Sequence, residues 1–183
     1  MVQINVSQQL KASIGSIRDY EVSEIVTIDG GNDTVQGMVR LMRTDRGILA
    51  KGVLHTEIEL TCSRCLSVFN CPLTLNIEEE YFPTTDIFSS TPLHVPDEPG
   101  CFTIDEHNIL NLTEAIRQYT IMAIPMKSLC QQDCAGLCPT CGVNLNHSSC
   151  NCPPEPADHR LSELKKLVLT DTKTSVKEQK GTN

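Results

Sequence analysis

Cys138 and Cys141 are separated by two residues in CPTCG, and they lie in CAGLCPTCGVNLNHSSCNC, residues 134–152, a stretch that places five cysteines in nineteen positions with Cys130 just upstream. Two thiolates at this spacing reach one ion, and the glycine after the second permits the tight backbone turn that a metal knuckle needs. Four such sulfurs suit tetrahedral zinc, bound at about 2.3 Å. The segment from 130 to 152 has only Ala135, Leu137, Val143 and Leu145 as further apolar residues. That is too little to fold unaided, so a structural metal would serve as its core.

The spacing leaves the ligand set open. Cys138 and Cys141 with Cys150 and Cys152 is the preferred quartet, because GVNLNHSS is a hairpin-length return; Cys130 and Cys134 are the rival second pair. Cys62 and Cys65 in TCSRCL form another Cys-x-x-Cys that would complete a shared or second site. Cys71 and Cys101 read as buried small hydrophobes. Zinc is favoured over rubredoxin-like iron, since the partner pair is Cys-x-Cys and not a second knuckle. A dithiol redox role normally needs a helix N-terminus after a βαβ strand, which neither pair has.

Other reactive constellations are thin. The five histidines are scattered, and His147 inside the cysteine stretch reads as a polar loop residue. Glu78–Glu80 and Asp105–Glu106 read as solvated acidic faces. Neither a phosphate-cradling glycine loop nor a serine-hydrolase motif occurs. These observations predict a protein that is not an enzyme.

Elements that position the cysteines follow from periodicity. VQGMVRLMR, a turn at TDRG (44–47), and ILAKGVLHTEIELTC predict antiparallel strands, with Leu54, Thr56, Ile58, Leu60 and Cys62 on one face. The alternation resumes at Phe69, Cys71, Leu73, Leu75 and Ile77, which puts Cys62 and Cys65 where one strand turns into the next. A short strand near Ile4–Val6 is expected to join. Residues 83–101, rich in Pro and Ser/Thr, predict a long loop. Leu112, Ala115, Ile116, Tyr119, Met122 and Ala123 then follow helical spacing, with Asn111 to cap, Glu114 in the first turn and Pro125 as terminator. After PPEPADH, Leu161, Leu164, Leu167 and Val168 predict a short amphipathic helix.

The expectation is an α+β fold: an antiparallel β sheet packed by a central helix, with a C-terminal cysteine-rich zinc-knuckle-like segment and a short closing helix. Its parts are a body over 1–125, the metal-binding segment over 126–153, the closing helix over 154–169 and a disordered tail over 170–183.

With 183 residues, 39% of them hydrophobic and 21% charged, the chain has room for one core and a small appendage. The formal charge of −8 is uneven. Residues 160–183 carry six Lys/Arg against three Asp/Glu, leaving nine against twenty in residues 1–159, so the body is −11 and the tail +3. An acidic body repels phosphate backbones, which argues against nucleic-acid coating by the bulk surface. With neither a long apolar run nor a leader-like start, the chain is expected to be cytoplasmic, its thiols reduced, without a membrane partner.

LTCSRCL, AIPMKSLC, CAGLCPTCGVNLN with CNC, and DHRLSELKKL, in that order, resemble the YceD family of large ribosomal RNA subunit accumulation proteins over about residues 4–169. Cys62, Arg64 and Cys65 match its first cysteine pair, and Pro125 and Cys130 the end of its central helix. Cys134, Gly136, Leu137, Cys138, Pro139, Cys141 and Gly142 match its second cluster, and Asp158, Arg160, Leu161, Leu164 and Leu167 its closing motif. His159 and Asn111 depart from the pattern. The resemblance implies a role in synthesis, processing or stability of large-subunit ribosomal RNA, with any metal a stabiliser of the fold. Combined with the acidic body, it leads to an expected ribosome-assembly or RNA-processing protein partner, with RNA contact confined to a local patch. Direct zinc-ribbon RNA binding through Arg64, Lys127, Lys165 and Lys166 is the competing expectation.

Overall fold

The computed structural model describes residues 1–28, 31–89, 91–95 and 100–153. The chain divides into two compact units, Met1–Cys134 and Ala135–Asn183. The closing helix and tail expected over 154–183 lie outside the described residues.

The first unit is built on β1 (Gln3–Asn5), α1 (Ser7–Leu10), β2 (Ile17–Ile28), β3 (Gly31–Arg43), β4 (Ile48–Thr61), β5 (Val68–Pro83), β6 (Phe102–Ile104), β7 (Ile109–Asn111) and α2 (Thr113–Ala123). One seven-stranded sheet runs β1-β7-β6-β5-β4-β3-β2. Its body is the β2–β5 meander, whose alternation is explained by burial of a single face. Leu54, Thr56 and Ile58 of β4 and Leu73, Leu75 and Ile77 of β5 are buried, while Glu57 and Glu59 are exposed. The β3–β4 turn falls at 44–47 as expected, closed by Thr44 N–H to the Gly47 carbonyl at 3.0 Å and Gly47 N–H to Thr44 Oγ1 at 2.8 Å.

Two features correct the sequence reading. The sheet is mixed and not purely antiparallel: β5 pairs with β6 in parallel, Tyr81 opposite Phe102 and Pro83 opposite Ile104. Parallel neighbours need a long crossover, and the loop after Pro83 supplies it. Strand β2 was not anticipated at all. Tyr20, Val22 and Val26 face inward, but Glu24 interrupts that line and Ile17 and Ile25 are exposed on the other face, which blurs the period-two pattern.

Helix α2 packs against β5 and β2. Leu112, just before it, and Ala115, Ile116 and Thr120 within it are buried; Met122, expected on the apolar stripe, is 70% exposed. Asn111 Oδ1 accepts the Thr113 N–H at 3.0 Å at the helix start, and the chain leaves the helix at Ile124 in an extended conformation, as a residue before proline must. Tyr119 ties the helix to β5, its hydroxyl lying 3.0 Å from Glu79 Oε1 and accepting the Glu78 N–H at 3.3 Å.

Within the second unit, residues 135–153 form no strand or helix among the described residues. A single bridge, Leu137 opposite Asn144, and Leu145 N–H to the Gly136 carbonyl at 2.9 Å fold the segment back on itself.

Candidate metal centres

Cys62 directly follows Thr61, the last residue of β4, and Cys65 lies in the turn to β5. The Cys62 N–H donates to the Ser67 carbonyl at 2.9 Å, and the Leu66 N–H returns to the Cys62 carbonyl at 3.0 Å. This brings the two thiols to one side of the hairpin tip. Residues 128–134 lie against that tip through side chains of both segments. The Ser63 N–H and hydroxyl both donate to the Ser128 carbonyl, at 2.9 and 2.8 Å, and Ser128 Oγ donates to the Thr61 carbonyl at 2.9 Å. Arg64 Nη1 donates to the Cys134 carbonyl at 2.8 Å. Cys130 and Cys134 thereby meet Cys62 and Cys65, with sulfur–sulfur distances of 3.8 Å (Cys62 to Cys134) and 3.6 Å (Cys65 to Cys130).

Cys138 and Cys141 repeat the same local geometry in the second unit. The Cys138 N–H donates to the Val143 carbonyl and the Gly142 N–H to the Cys138 carbonyl, both at 2.9 Å. Gly142 has φ +74°, and Leu66, the residue at the same step after Cys65, has φ +58°. Cys150 and Cys152 return to this knuckle. In each of the quartets Cys62, Cys65, Cys130, Cys134 and Cys138, Cys141, Cys150, Cys152, all four sulfurs lie within 4.8 Å of one another.

Of the two alternatives that spacing left open, the structure places Cys150 and Cys152 beside Cys138 and Cys141, and Cys130 and Cys134 beside Cys62 and Cys65. Sequence reasoning could not see the latter join, because its clamp is tertiary. His147 is exposed and belongs to neither quartet. Cys71 and Cys101 are half-buried thiols, also outside them.

The donor sets fit a dication. A tetrahedral zinc with Zn–S near 2.3 Å has sulfur–sulfur edges of about 3.8 Å, close to the 3.8 and 3.6 Å pairs of the first quartet. A disulfide, at about 2.05 Å, does not. Electrostatics point the same way. The Cys65 backbone N–H, with those of Cys130 and Arg64, draws the Cys62 thiol down to about 6 against the cost of burial. The N–H groups of Cys141 and Thr140 do the same for Cys138, also to about 6. Burial and the crowding sulfurs of Cys65 and Cys134 push Cys130 up to about 12. The Cys141 sulfur and burial push Cys152 up to about 12. Each quartet thus holds thiols drawn toward ionisation, Cys62 and Cys65 in the first and Cys138 in the second, and others that resist, Cys130 in the first and Cys150 and Cys152 in the second, until a cation offsets the gathered negative charge.

The quartets differ in setting. In the first, Cys62, Cys65 and Cys134 are buried; in the second only Cys138 is, and Cys141 is exposed. Cys138 is also the only buried side chain among the described residues of the second unit, which leaves that segment without an apolar core.

The other candidate groups are engaged structurally. Glu78 pairs with Lys51 at 2.6 Å, Glu80 with Arg46 at 3.1 Å and with the Thr44 hydroxyl at 2.7 Å, and Glu79 with Tyr119. Asp105 accepts the N–H groups of His107 and Ile109, closing a turn. No helix among the described residues is long and apolar enough to cross a membrane.

Residues 50–168, a span containing both quartets, match the family model described as large ribosomal RNA subunit accumulation protein YceD. The sequence is 25% identical over 163 residues to the chloroplastic large ribosomal RNA subunit accumulation protein YCED homolog 1 of Arabidopsis thaliana, covering 73% of this chain and 48% of that one. It is 41% identical over 137 residues to the Zea mays protein of the same name, covering 62% and 46%. An uncharacterised Mycobacterium tuberculosis protein is 28% identical over 123 residues, covering 67% and 56%. The chain spans about half the length of the curated relatives it matches. No solved structure matches.

Proposed function

The chain belongs to the YceD family of large ribosomal RNA subunit accumulation proteins, and from that premise we propose that it is a non-enzymatic cytoplasmic factor supporting the synthesis, processing or stability of large-subunit ribosomal RNA. It acts through a ribosome-assembly or RNA-processing protein, and each cysteine quartet holds one structural zinc. Bound zinc supplies a cross-link: in the first unit between the β4–β5 hairpin and residues 130–134, in the second between the ends of an otherwise coreless segment.

The observation that carries the protein-partner reading is the fate of the cations. Seven of the nine Lys/Arg in residues 1–159 are engaged within the chain: Arg18, Arg40, Arg43, Arg46, Lys51, Arg64 and Arg117. Arg64, a candidate RNA contact by sequence, holds the Cys134 carbonyl. A surface at −11 whose cations are so committed has little to offer a phosphate backbone by counterion release. Neither knuckle stands at a helix N-terminus, which speaks against a dithiol redox role.

The test is to delete the protein in growing cells and quantify precursor and mature ribosomal RNA, then isolate the tagged protein with and without ribonuclease and at rising salt. Large-subunit RNA is expected to fall or accumulate unprocessed while small-subunit RNA is less affected, with a protein partner retained through both treatments. Normal large-subunit RNA overturns the function. A complex lost to ribonuclease and to salt replaces the protein partner with direct RNA binding.

A further inference from the structure

The seven-stranded sheet has two ends, β1 and β2, each hydrogen-bonded to a neighbour along one edge only. Those ends face each other. The Met1 amine lies 3.6 Å from Glu24 Oε2, Arg18 Nη1 donates to Gln8 Oε1 at 3.2 Å, and residues 2–5 with 20–24 line a shared cleft of about 400 Å³. Among the described residues no backbone hydrogen bond joins β1 to β2.

We propose that this cleft receives an extended, Lys/Arg-bearing segment of a protein partner, which adds to the free edge of β2 as a further strand with β1 as the opposite wall. The proposal rests on the reading that the chain works through a protein partner, and it names the surface and the chemistry of that contact.

The shape of the cleft fits a strand. Five residues of β2 extend over roughly 17 Å, and their unused backbone donors and acceptors would form the ladder. A strand presents alternate side chains to opposite faces, and the cleft offers two different surfaces for them. Val2 and Val22 are buried and Ile4 and Tyr20 half-buried, forming an apolar floor with the exposed Glu24 at its end on the same face of β2, whereas Glu21 is exposed on the opposite face. An incoming strand that alternates apolar with cationic residues satisfies both. The same carboxylates disfavour two other occupants. Nucleic acid would bring phosphates onto them, and a second copy pairing edge to edge would bring Glu21 and Glu24 close to their equivalents, the usual way an edge strand is guarded from self-association.

The test uses the full chain and an acetylated, amidated hexapeptide alternating Lys and Val, read by amide hydrogen exchange and by titration. Amides in residues 20–24 and 3–5 are expected to exchange at least about tenfold more slowly with peptide bound. Methylating alternate backbone nitrogens of the peptide is expected to weaken binding at least about tenfold, because it removes ladder donors. The double variant Glu21→Lys, Glu24→Lys is expected to weaken binding with an unchanged circular dichroism spectrum. Absence of protection at 20–24 with millimolar peptide, indifference to methylation, or equal binding of a Glu/Val peptide overturns the proposal. Protection that appears with rising protein concentration and no peptide also overturns it, in favour of self-association. Ribosomal RNA levels in the deletion strain are read separately, so failure of the cleft leaves the cellular role standing, and the reverse.

Discussion

Leu66 follows Cys65 in the same left-handed backbone conformation that Gly142 adopts after Cys141, φ +58° against +74°. The two hairpins around them carry matching hydrogen bonds, from the first cysteine's N–H forward five residues and back to its carbonyl from the residue after the second cysteine. One knuckle therefore recurs in both units, and in the first of them it is built at a conformational cost, since an L-residue in this region is strained by about 1–2 kcal/mol where glycine is not. Leu66 is 63% exposed, so its burial offsets little of that strain.

Leu66→Gly is accordingly expected to stabilise the zinc-loaded first unit by about 0.5–1 kcal/mol, the strain relieved less the larger unfolded-state entropy of glycine. Gly142→Leu is expected to weaken zinc retention in the second unit. Denaturation midpoints and zinc release to a chelator measure the two effects; a Leu66→Gly variant less stable than the parent would show that Leu66 is held for a contact its exposure conceals.

Elemental analysis of protein purified without a metal-affinity tag should give two zinc ions per chain. Cys62→Ser and Cys138→Ser should each remove one, and the double substitution both. Cobalt replacement should give the intense thiolate charge-transfer bands of tetrahedral sulfur ligation. Loss of both ions with either single substitution would mean that the quartets do not fill independently.

The consequences of losing each ion should differ in place. Cys138→Ser is expected to speed hydrogen exchange across 135–153 while the sheet keeps its stability within about 0.5 kcal/mol, since that segment has no other core. Cys62→Ser is expected to release residues 128–134 and fray the ends of β4 and β5. Global unfolding in the first case would sink the view of the second quartet as a local site.

The strands next to these sites were legible from sequence where one face is buried without exception. Leu54, Thr56 and Ile58 against Leu73, Leu75 and Ile77 announce the β4–β5 hairpin, and with it the position of Cys62 and Cys65 at the tip. Strand β2 was hidden because Glu24 occupies an inward position and Ile25 an outward one. The loop over 83–101 was visible, but its consequence, the parallel pairing of Tyr81 with Phe102, depends on which side of the sheet the chain returns to, and no local pattern encodes that. The knuckle at Cys138 and Cys141 was clear because Gly142 supplies the left-handed turn in person; at Cys62 and Cys65 a leucine does so. The meeting of Cys65 with Cys130 depends on Ser63 and Ser128, whose hydrogen bonds join segments far apart in sequence.

Glu114 offers a pH-dependent check on α2. Hydrogen bonds from Arg117 and then Gln118 hold its carboxyl down from 4.5 to about 2. A carboxylate depressed in the folded state contributes stability above the unfolded value, and that contribution disappears as pH falls through the folded one. Glu114→Gln should therefore be less stable than the parent at pH 6, with the gap closing between about pH 4.5 and pH 2. Because Glu114 and Arg117 are solvent-exposed, the gap should be only a few tenths of a kcal/mol, resolvable in denaturation midpoints of the metal-free pair. A gap that widens in acid would contradict the assigned ion pair.

Arg64 separates the two views of what the basic residues do. Its guanidinium donates to the carbonyl of Cys134, so it positions one thiol of the first quartet without being a member of it. Removing such a support typically costs about 10–100-fold in metal affinity. Arg64→Ala should lower zinc affinity at the first site by about tenfold while leaving the second site alone. Arg64→Lys should recover part of the loss, because an ammonium can still donate to one carbonyl but lacks the planar fork that holds the approach. Competition with a chelator, following cobalt bands in a Cys138→Ser background so that only the first site reports, reads this directly. Association of the full chain with its cellular partner at rising salt is the second measurement, and it should be unchanged in slope by Arg64→Ala. Unaltered metal affinity together with a shallower salt dependence would reverse the assignment and make Arg64 a phosphate contact.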